Sequence, residues 1–139
     1  MRIFLAVLLF LFLGCGGDQL GTTTSSIEFS PNPAETSGNV CESEASVLSL
    51  SDRTVSLVAL AAEFEGSQGR RVSFSRSAEE LSQTFDSLIL TGNSLVQATF
   101  TFDFSNSNLE FPVQGSVVLV GAGVSGVTHF VGLLRCEVV

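Results

Sequence analysis

Oxygen-bearing side chains recur between Asp103 and Glu110, in the segment DFSNSNLE. Carboxylate and amide oxygens at alternate positions are the ligands that calcium takes in protein loops. Asp103, Asn106 and Glu110 therefore form a weak candidate calcium site. The segment lacks the central glycine of a calcium loop, and a polar turn between two strands is the alternative, because Asn and Ser are favoured in turns. We expect no other metal site and no cofactor.

The remaining reactive groups predict no enzyme. His129 is the single histidine, the usual base near neutral pH, but its strand-like surroundings predict a packed, hydrogen-bonded side chain. Catalysis would need His129 exposed in a cleft beside a carboxylate or a serine. The segment Gly121–Gly126 fits the dinucleotide motif G-x-G-x-x-G literally. That motif requires a crossover helix, so we expect a glycine-rich turn joining the last two strands, and no nucleotide cofactor. The arginines Arg70, Arg71 and Arg76 are expected on a solvated strand face.

The N-terminus has the pattern of an export signal. Arg2 is followed by Ile3–Leu13, eleven consecutive apolar residues, within the range of about 7 to 15 for the core of a signal peptide and too short for a membrane-spanning helix, which needs about 20. Gly14 and Cys15 come next. A small residue directly before a cysteine at the end of an apolar core resembles the lipobox of bacterial lipoproteins.

This resemblance implies cleavage of residues 1–14 and lipidation of Cys15. The family usually has Leu three positions before the cysteine and a small residue two before it, where this chain has Phe12 and Leu13. An ordinary secretory leader and an uncleaved anchor are the alternatives. Gly16 follows the cysteine, so the Asp that serves as a retention signal in some lipoprotein families is absent. The resemblance therefore implies a membrane-anchored lipoprotein facing the periplasm or placed in the outer membrane.

Three cysteines are an odd number for an exported chain. Assigning Cys15 to the lipid leaves Cys41 and Cys136, whose oxidation would close a loop across nearly the whole domain. Such a disulfide is typical of an oxidising compartment. Two separate buried thiols are the alternative, and the cysteines and His129 show no metal-ligand spacing.

Composition limits the partners. The chain has a net charge of −8 and no lysine, and removal of Arg2 with the leader makes the charge more negative. A negative chain repels nucleic acid. We expect a membrane contact through the lipid and an envelope protein as a possible partner.

The sequence predicts one domain after its targeting segment: residues 1–14 form the signal peptide, 15–26 a flexible linker after the lipidated cysteine, and 27–139 a β-domain. The clearest strand has apolar residues on one face and polar residues on the other; its apolar residues are Val96, Ala98, Phe100, Phe102 and Phe104. The other predicted strands are Ile27–Phe29, Val47–Leu50, Val55–Phe64, Arg71–Ser75, Leu88–Leu90, Val113–Val120 and Val127–Val138.

Local signals predict the connections. Thr91–Ser94 has hairpin turn chemistry, which would join the short strand before it to the one after it. Ser77 and Glu80 match a capping box and predict a single helical turn over Ala78–Phe85. Pro31 and Pro33 break the first strand, which predicts an edge or a kink across the sheet.

Many short strands with little helix predict an all-β domain. The pattern of residues 27–139, with a first strand containing proline and a long-range cysteine pair, resembles immunoglobulin-like antiparallel β-sandwiches; a small β-barrel is the alternative. The function we predict is a non-catalytic binding or structural β-domain tethered in the cell envelope. The alternative is a carrier of a small hydrophobic ligand, with a barrel interior lined by Phe100, Phe102 and Phe104.

Overall fold

The computed structural model describes residues 25–49, 53–124 and 126–138. These residues form nine strands and one single-turn helix. The elements are β1 (Ser25–Ser30), β2 (Ala34–Ser37), β3 (Val40–Leu48), β4 (Val55–Glu65), β5 (Arg71–Ser77), α1 (Ala78–Leu81), β6 (Ile89–Leu90), β7 (Leu95–Asp103), β8 (Val113–Gly123) and β9 (Gly126–Val138). The all-β prediction is confirmed.

All nine strands belong to one mixed sheet. Starting from β7, the order is β7, β3, then β1 and β2 side by side along the chain, then β9, β8, β4 and β5. The pairs that β1 and β2 make with β9 are parallel, and the others are antiparallel. Both β1 and β2 lie between β3 and β9, so the proline segment between them marks a kink within the sheet and not an edge.

The predicted hairpin across Thr91–Ser94 is wrong. β6 pairs with β4, whereas β7 pairs with β3 over nine residue pairs from Val40↔Asp103 to Leu48↔Leu95. Turn chemistry between the two strands is present, with Asn93 at a φ of 55°. The nine residue pairs between β7 and β3 and the burial of the β7 phenylalanines stabilise the fold more than a hairpin with the two-residue strand β6 would.

Phenylalanine rings hold the two ends of the sheet together. Phe100, Phe102 and Phe104 of β7 are buried, as their alternation predicts. The ring of Phe64 on β4 lies 5.0 Å from that of Phe102 and 5.2 Å from that of Phe104, and Phe74 on β5 is 5.3 Å from Phe102. The sheet therefore curves until its first strand packs against its last two.

The sequence predicted that Arg76 of β5 lies on a solvated strand face. The structure instead places it half-buried against Phe102. Its guanidinium lies 5.0 Å from the centre of the Phe102 ring, and its Nη2 donates a hydrogen bond to the carbonyl of Thr101 at 2.5 Å. Burial lowers the pKa of Arg76, and the neighbouring Glu80 raises it in part. The planar cation stacks on an aromatic ring while its donors remain available, so Arg76 connects the edge strands β5 and β7.

The predicted disulfide is present. Cys41 of β3 and Cys136 of β9 are both fully buried, and their sulfurs are bonded across a sequence separation of 95 residues. The two strands lie on either side of β2. The bond therefore joins the early part of the domain to its last strand.

The capping box predicted for the helical turn is also present. The Ser77 hydroxyl accepts a hydrogen bond from the Glu80 backbone N–H at 3.3 Å, and the Glu80 carboxylate accepts one from the Ser77 N–H at 2.8 Å. The helix ends at Leu81, earlier than predicted, and Phe85 is buried beyond it through a turn.

Gly132 on β9 allows β1 to pass closely over it. A Cβ at this position would meet the carbonyl oxygen of Ile27 and would lie 2.9 Å from the Ile27 Cβ. We expect Gly132→Ala to lower the free energy of unfolding by about 1–3 kcal/mol, because backbone must shift to relieve the overlap. Chemical denaturation measures this loss. Ser73→Ala, at an exposed edge position, is the control, and an equal effect of both changes would contradict the close approach.

Candidate functional site

The outward side of β4, β8 and β9 carries an unusual amount of exposed apolar surface. Alternate residues of these strands point away from the core. We call the apolar ones among them the apolar face: Ala59, Ala61, Val118, Val120, Val127, Val131 and Leu133. On β9 the exposed fractions are 61% for Val127, 47% for Val131 and 70% for Leu133. Contiguous exposed apolar residues of this kind mark interaction sites in soluble domains.

The strand register makes the apolar face continuous. Val118 of β8 lies between Ala61 of β4 and Val131 of β9, because it pairs with both. One step along, Val120 pairs with Ala59 and with His129. A bulge between Leu57 and Ala59 adds a further exposed valine to β4. The middle of this surface is therefore made mainly of small and β-branched side chains.

One end of the same side is polar and charged. Gln114 of β8 lies between Glu65 and Arg135 in the register. Arg135 donates to Gln114 Oε1 at 3.1 Å through its Nη1 and to Glu137 Oε2 at 2.6 Å through its Nε. The Nε of Arg71 on β5 lies 3.6 Å from Oε1 of Glu65, which forms an ion pair. A cleft of about 470 Å³ opens here, between carboxylates and guanidinium groups.

The opposite outward side, formed by β1, β3 and β7, has different chemistry. Its exposed carboxylates include Glu28, Glu42 and Glu44, and the three strands carry no basic residue. Glu42 accepts a hydrogen bond from the Thr101 hydroxyl at 3.5 Å. The domain is thus acidic on one side, and apolar with a charged end on the other.

The candidate calcium residues lie where β7 ends. The Asp103 carboxylate accepts a hydrogen bond from the Ser105 backbone N–H at 2.9 Å, as in a polar turn, and the Glu110 carbonyl accepts one from the Ser67 N–H at 2.9 Å. In the part of the chain that the structure describes, no three His, Cys, Asp or Glu residues are grouped to hold a metal. Asn106 completes the predicted set, and the calcium site stays a prediction.

Ser105 controls the acidity of Asp103. Hydrogen bonds from the Ser105 side chain, and then from its backbone, hold the pKa of this carboxyl below its ordinary value. We expect Ser105→Ala to raise that pKa and leave it still lowered by the backbone bond. Because the folded-state pKa is depressed, this carboxylate stabilises the fold above its unfolded-state pKa, and the contribution is lost as the pH falls through the folded-state value.

Carbon-13 NMR of the Asp103 carboxyl measures this shift directly. Ser107→Ala is the matched control, since the Ser107 hydroxyl donates to the Phe104 carbonyl and not to Asp103. An Asp103 titration that is the same in the Ser105 variant and the wild type would contradict the assignment.

The other predicted residues fall in several places. Cys15, the signal peptide 1–14 and the linker up to residue 24 lie outside the described residues. His129 is exposed on the outward side of β9, so the expectation of a packed histidine is wrong: β9 is buried on one side only. The glycine-rich segment is a hairpin turn, as predicted, with Gly123 pairing with Gly126.

No helix among residues 25–49, 53–124 and 126–138 is both long and apolar enough to cross a bilayer.

Comparison with known proteins supports the fold alone. No family model matches the chain, and no curated protein matches it. It is similar to the solution structure of a putative late embryogenesis abundant protein, with a TM-score of 0.55 and 8% identity over 99% of this chain and 85% of that one. A structural-genomics target gives a TM-score of 0.48 at 12% identity over 81% of this chain and 83% of that one. We draw no functional conclusion from either.

Proposed function

We propose that this chain is an exported lipoprotein, acylated at Cys15, whose β-domain is a non-catalytic binding or structural module of the cell envelope. The apolar face is the observation that carries the binding role. An isolated domain gains nothing by leaving Val127, Val131 and Leu133 in water: full burial of an exposed Val or Leu is worth about 1.5–3 kcal/mol, and these three still have 47–70% of their surface to bury. A partner that covers the face recovers that free energy.

The disulfide supports the export part of the proposal. A bond between Cys41 and Cys136 persists in an oxidising compartment and is rare in the cytoplasm. The lipobox-like sequence supplies the export signal and the cysteine to which the lipid anchor is attached. The cell envelope, as periplasmic face or outer membrane, satisfies both requirements.

We also propose that the single sheet is arranged as an immunoglobulin-like sandwich. The contacts of Phe64 and Phe74 with Phe102 support two packed layers, because rings from β4 and β5 meet a ring from β7 across the core. The same packing does not favour the carrier alternative. A carrier needs an open interior lined by Phe100, Phe102 and Phe104, and these rings are buried against other rings.

Fractionation of a bacterial host that expresses the chain tests the proposal. We expect the wild type in the membrane fraction and accessible to a periplasmic label, and the Cys15→Ser variant to lose acylation. A matched control is Ser73→Ala, an exposed position on β5 that leaves Cys15 and the disulfide unchanged. Wild-type protein found in the cytoplasm, or unaffected by the loss of Cys15, would contradict the proposal.

A further inference from the structure

We propose that the apolar face is the interface of a symmetric homodimer, in which two copies pack face to face about a twofold axis nearly parallel to β8. This inference rests on the proposed binding role and names the partner as a second copy of the chain. The evidence is that the face is complementary to itself in size, in charge and in the direction of the chain. Each property follows from the register of β4, β8 and β9.

The side chains of the two flanking strands differ in size. On the outward side, β4 presents Ser56, Ala59 and Ala61, whereas β9 presents Val127, His129 and Val131 at the paired positions. A twofold axis along the middle strand β8 places β4 of one copy over β9 of the other, because an isologous interface exchanges the two sides. Small residues then lie opposite large ones, as close packing of two sheets about 10 Å apart requires.

The same twofold axis, which places β4 of one copy over β9 of the other, also brings together the charged residues at the polar end. Glu65 of β4 and Arg135 of β9 are at equal distances from β8, on either side of Gln114. The twofold axis brings Glu65 opposite the partner's Arg135, and Arg135 opposite the partner's Glu65. Two opposite-charge pairs form, and no like charges from these positions meet. Glu28, Glu42 and Glu44 lie on the other side of the domain, whereas Glu63 is exposed on this side of β4 and comes opposite the partner's Leu133.

Each strand of the face has a neighbouring strand on both of its flanks. β8 is hydrogen-bonded to β4 and β9, β4 also pairs with β5 and β6, and β9 also pairs with β1 and β2. Unpaired backbone polar groups would be costly in an interface. Three strands about 4.8 Å apart and about 36 Å long give roughly 500 Å² per copy. That is below the roughly 800 Å² per partner of a standard-sized interface, so we expect a dimer of modest affinity.

The direction of the chain makes this symmetry compatible with a membrane tether. β1 begins at Ser25 beside Phe130 and runs parallel to β9. Rotation about an axis parallel to the strands leaves strand direction unchanged, so both copies receive their N-terminal segments at the same end. Two lipid anchors on Cys15 can then insert into one membrane. A twofold axis perpendicular to the strands would send the two anchors in opposite directions.

Native mass spectrometry of the detergent-solubilised, acylated protein tests the interface, with the dimer fraction followed over a concentration series. We expect the wild type to dimerise and Val131→Arg to be monomeric. Glu65→Arg and Arg135→Glu are each expected to raise the dissociation constant by about tenfold or more, because like charges then meet. The double variant Glu65→Arg with Arg135→Glu is expected to recover the dimer. Glu44→Arg, on the acidic side, is the matched control.

The outcomes test the homodimer separately from the proposed lipoprotein function. Acylated wild-type protein that stays monomeric at every concentration overturns the dimer and leaves the lipoprotein proposal standing. A dimer that persists in Val131→Arg, or that the double variant fails to recover, overturns this interface. Binding of the Cys15→Ser variant to phosphatidylcholine vesicles, lost in Val131→Arg, would assign the face to a lipid surface instead. Circular dichroism of each variant excludes misfolding as the cause.

Discussion

Replacing Cys41 and Cys136 together with alanine is expected to lower the free energy of unfolding by about 4–5 kcal/mol. The bond spans 95 residues, and the chain-entropy model assigns a loss of this size to opening a loop of that length. Domains of this class are stable by only about 5–15 kcal/mol in total. The bond therefore accounts for a large part of the stability, and the double variant is expected to be partly unfolded at 37 °C.

Urea denaturation followed by circular dichroism measures this effect. Reduction of the wild-type protein with dithiothreitol is the matched control, because it opens the same loop without changing the sequence. Both treatments should lower the midpoint by a similar amount. If neither does, the loop closure is not what stabilises the domain.

Phe64→Ala is expected to destabilise the domain by about 3–5 kcal/mol, the usual cost of removing a buried phenylalanine. Phe64 is fully buried and contacts three rings, those of Phe74, Phe102 and Phe104. These contacts join β4 and β5 to β7, so the loss falls where the two ends of the sheet meet. Hydrogen exchange should show that β5 and β7 lose protection together.

Phe111→Ala is the matched control for this experiment. Its ring is only partly buried and meets one other ring, that of Phe104, at 5.8 Å. We expect it to lose less than half as much stability as Phe64→Ala. Equal losses from the two substitutions would show that the ring cluster around Phe64 does not join the sheet ends.

The sequence predicted best the strands in which one side is strongly apolar. β7 was evident because its inward residues include Phe100, Phe102 and Phe104, and side chains alternate with a period of two. The first part of β3 was missed although it alternates just as regularly. Its buried residues include Cys41, Ser43 and Ala45, which are too small or too polar to distinguish the inside from the outside.

Position in the sheet explains the error at Arg76. A side chain on an edge strand can point inward and still reach polar atoms, as Arg76 does with the Thr101 carbonyl. The sequence cannot show which strand is at an edge. The hairpin predicted across Thr91–Ser94 fails for a related reason, since turn chemistry is local and strand pairing is not.

The sequence did not predict the apolar face, because the strands that form it carry apolar residues on both sides. β8 and β9 carry apolar residues on both sides, a pattern typical of strands that are buried on both sides, so the pattern does not indicate an exposed face. The fold covers only the inward side, with Val117, Leu119 and Phe130 in the core. The outward residues Val118 and Val131 remain partly or largely exposed. Only the structure shows that half of this apolar surface lacks a covering layer among the described residues.

Intact mass of the protein extracted from membranes, with and without reductant and an alkylating reagent, tests the central claim most directly. We expect a chain that begins at an acylated Cys15, with Cys41 and Cys136 taking up the reagent only after reduction. A chain that retains residues 1–14, or one in which all three cysteines react without reduction, would contradict the account of a tethered, disulfide-closed envelope domain.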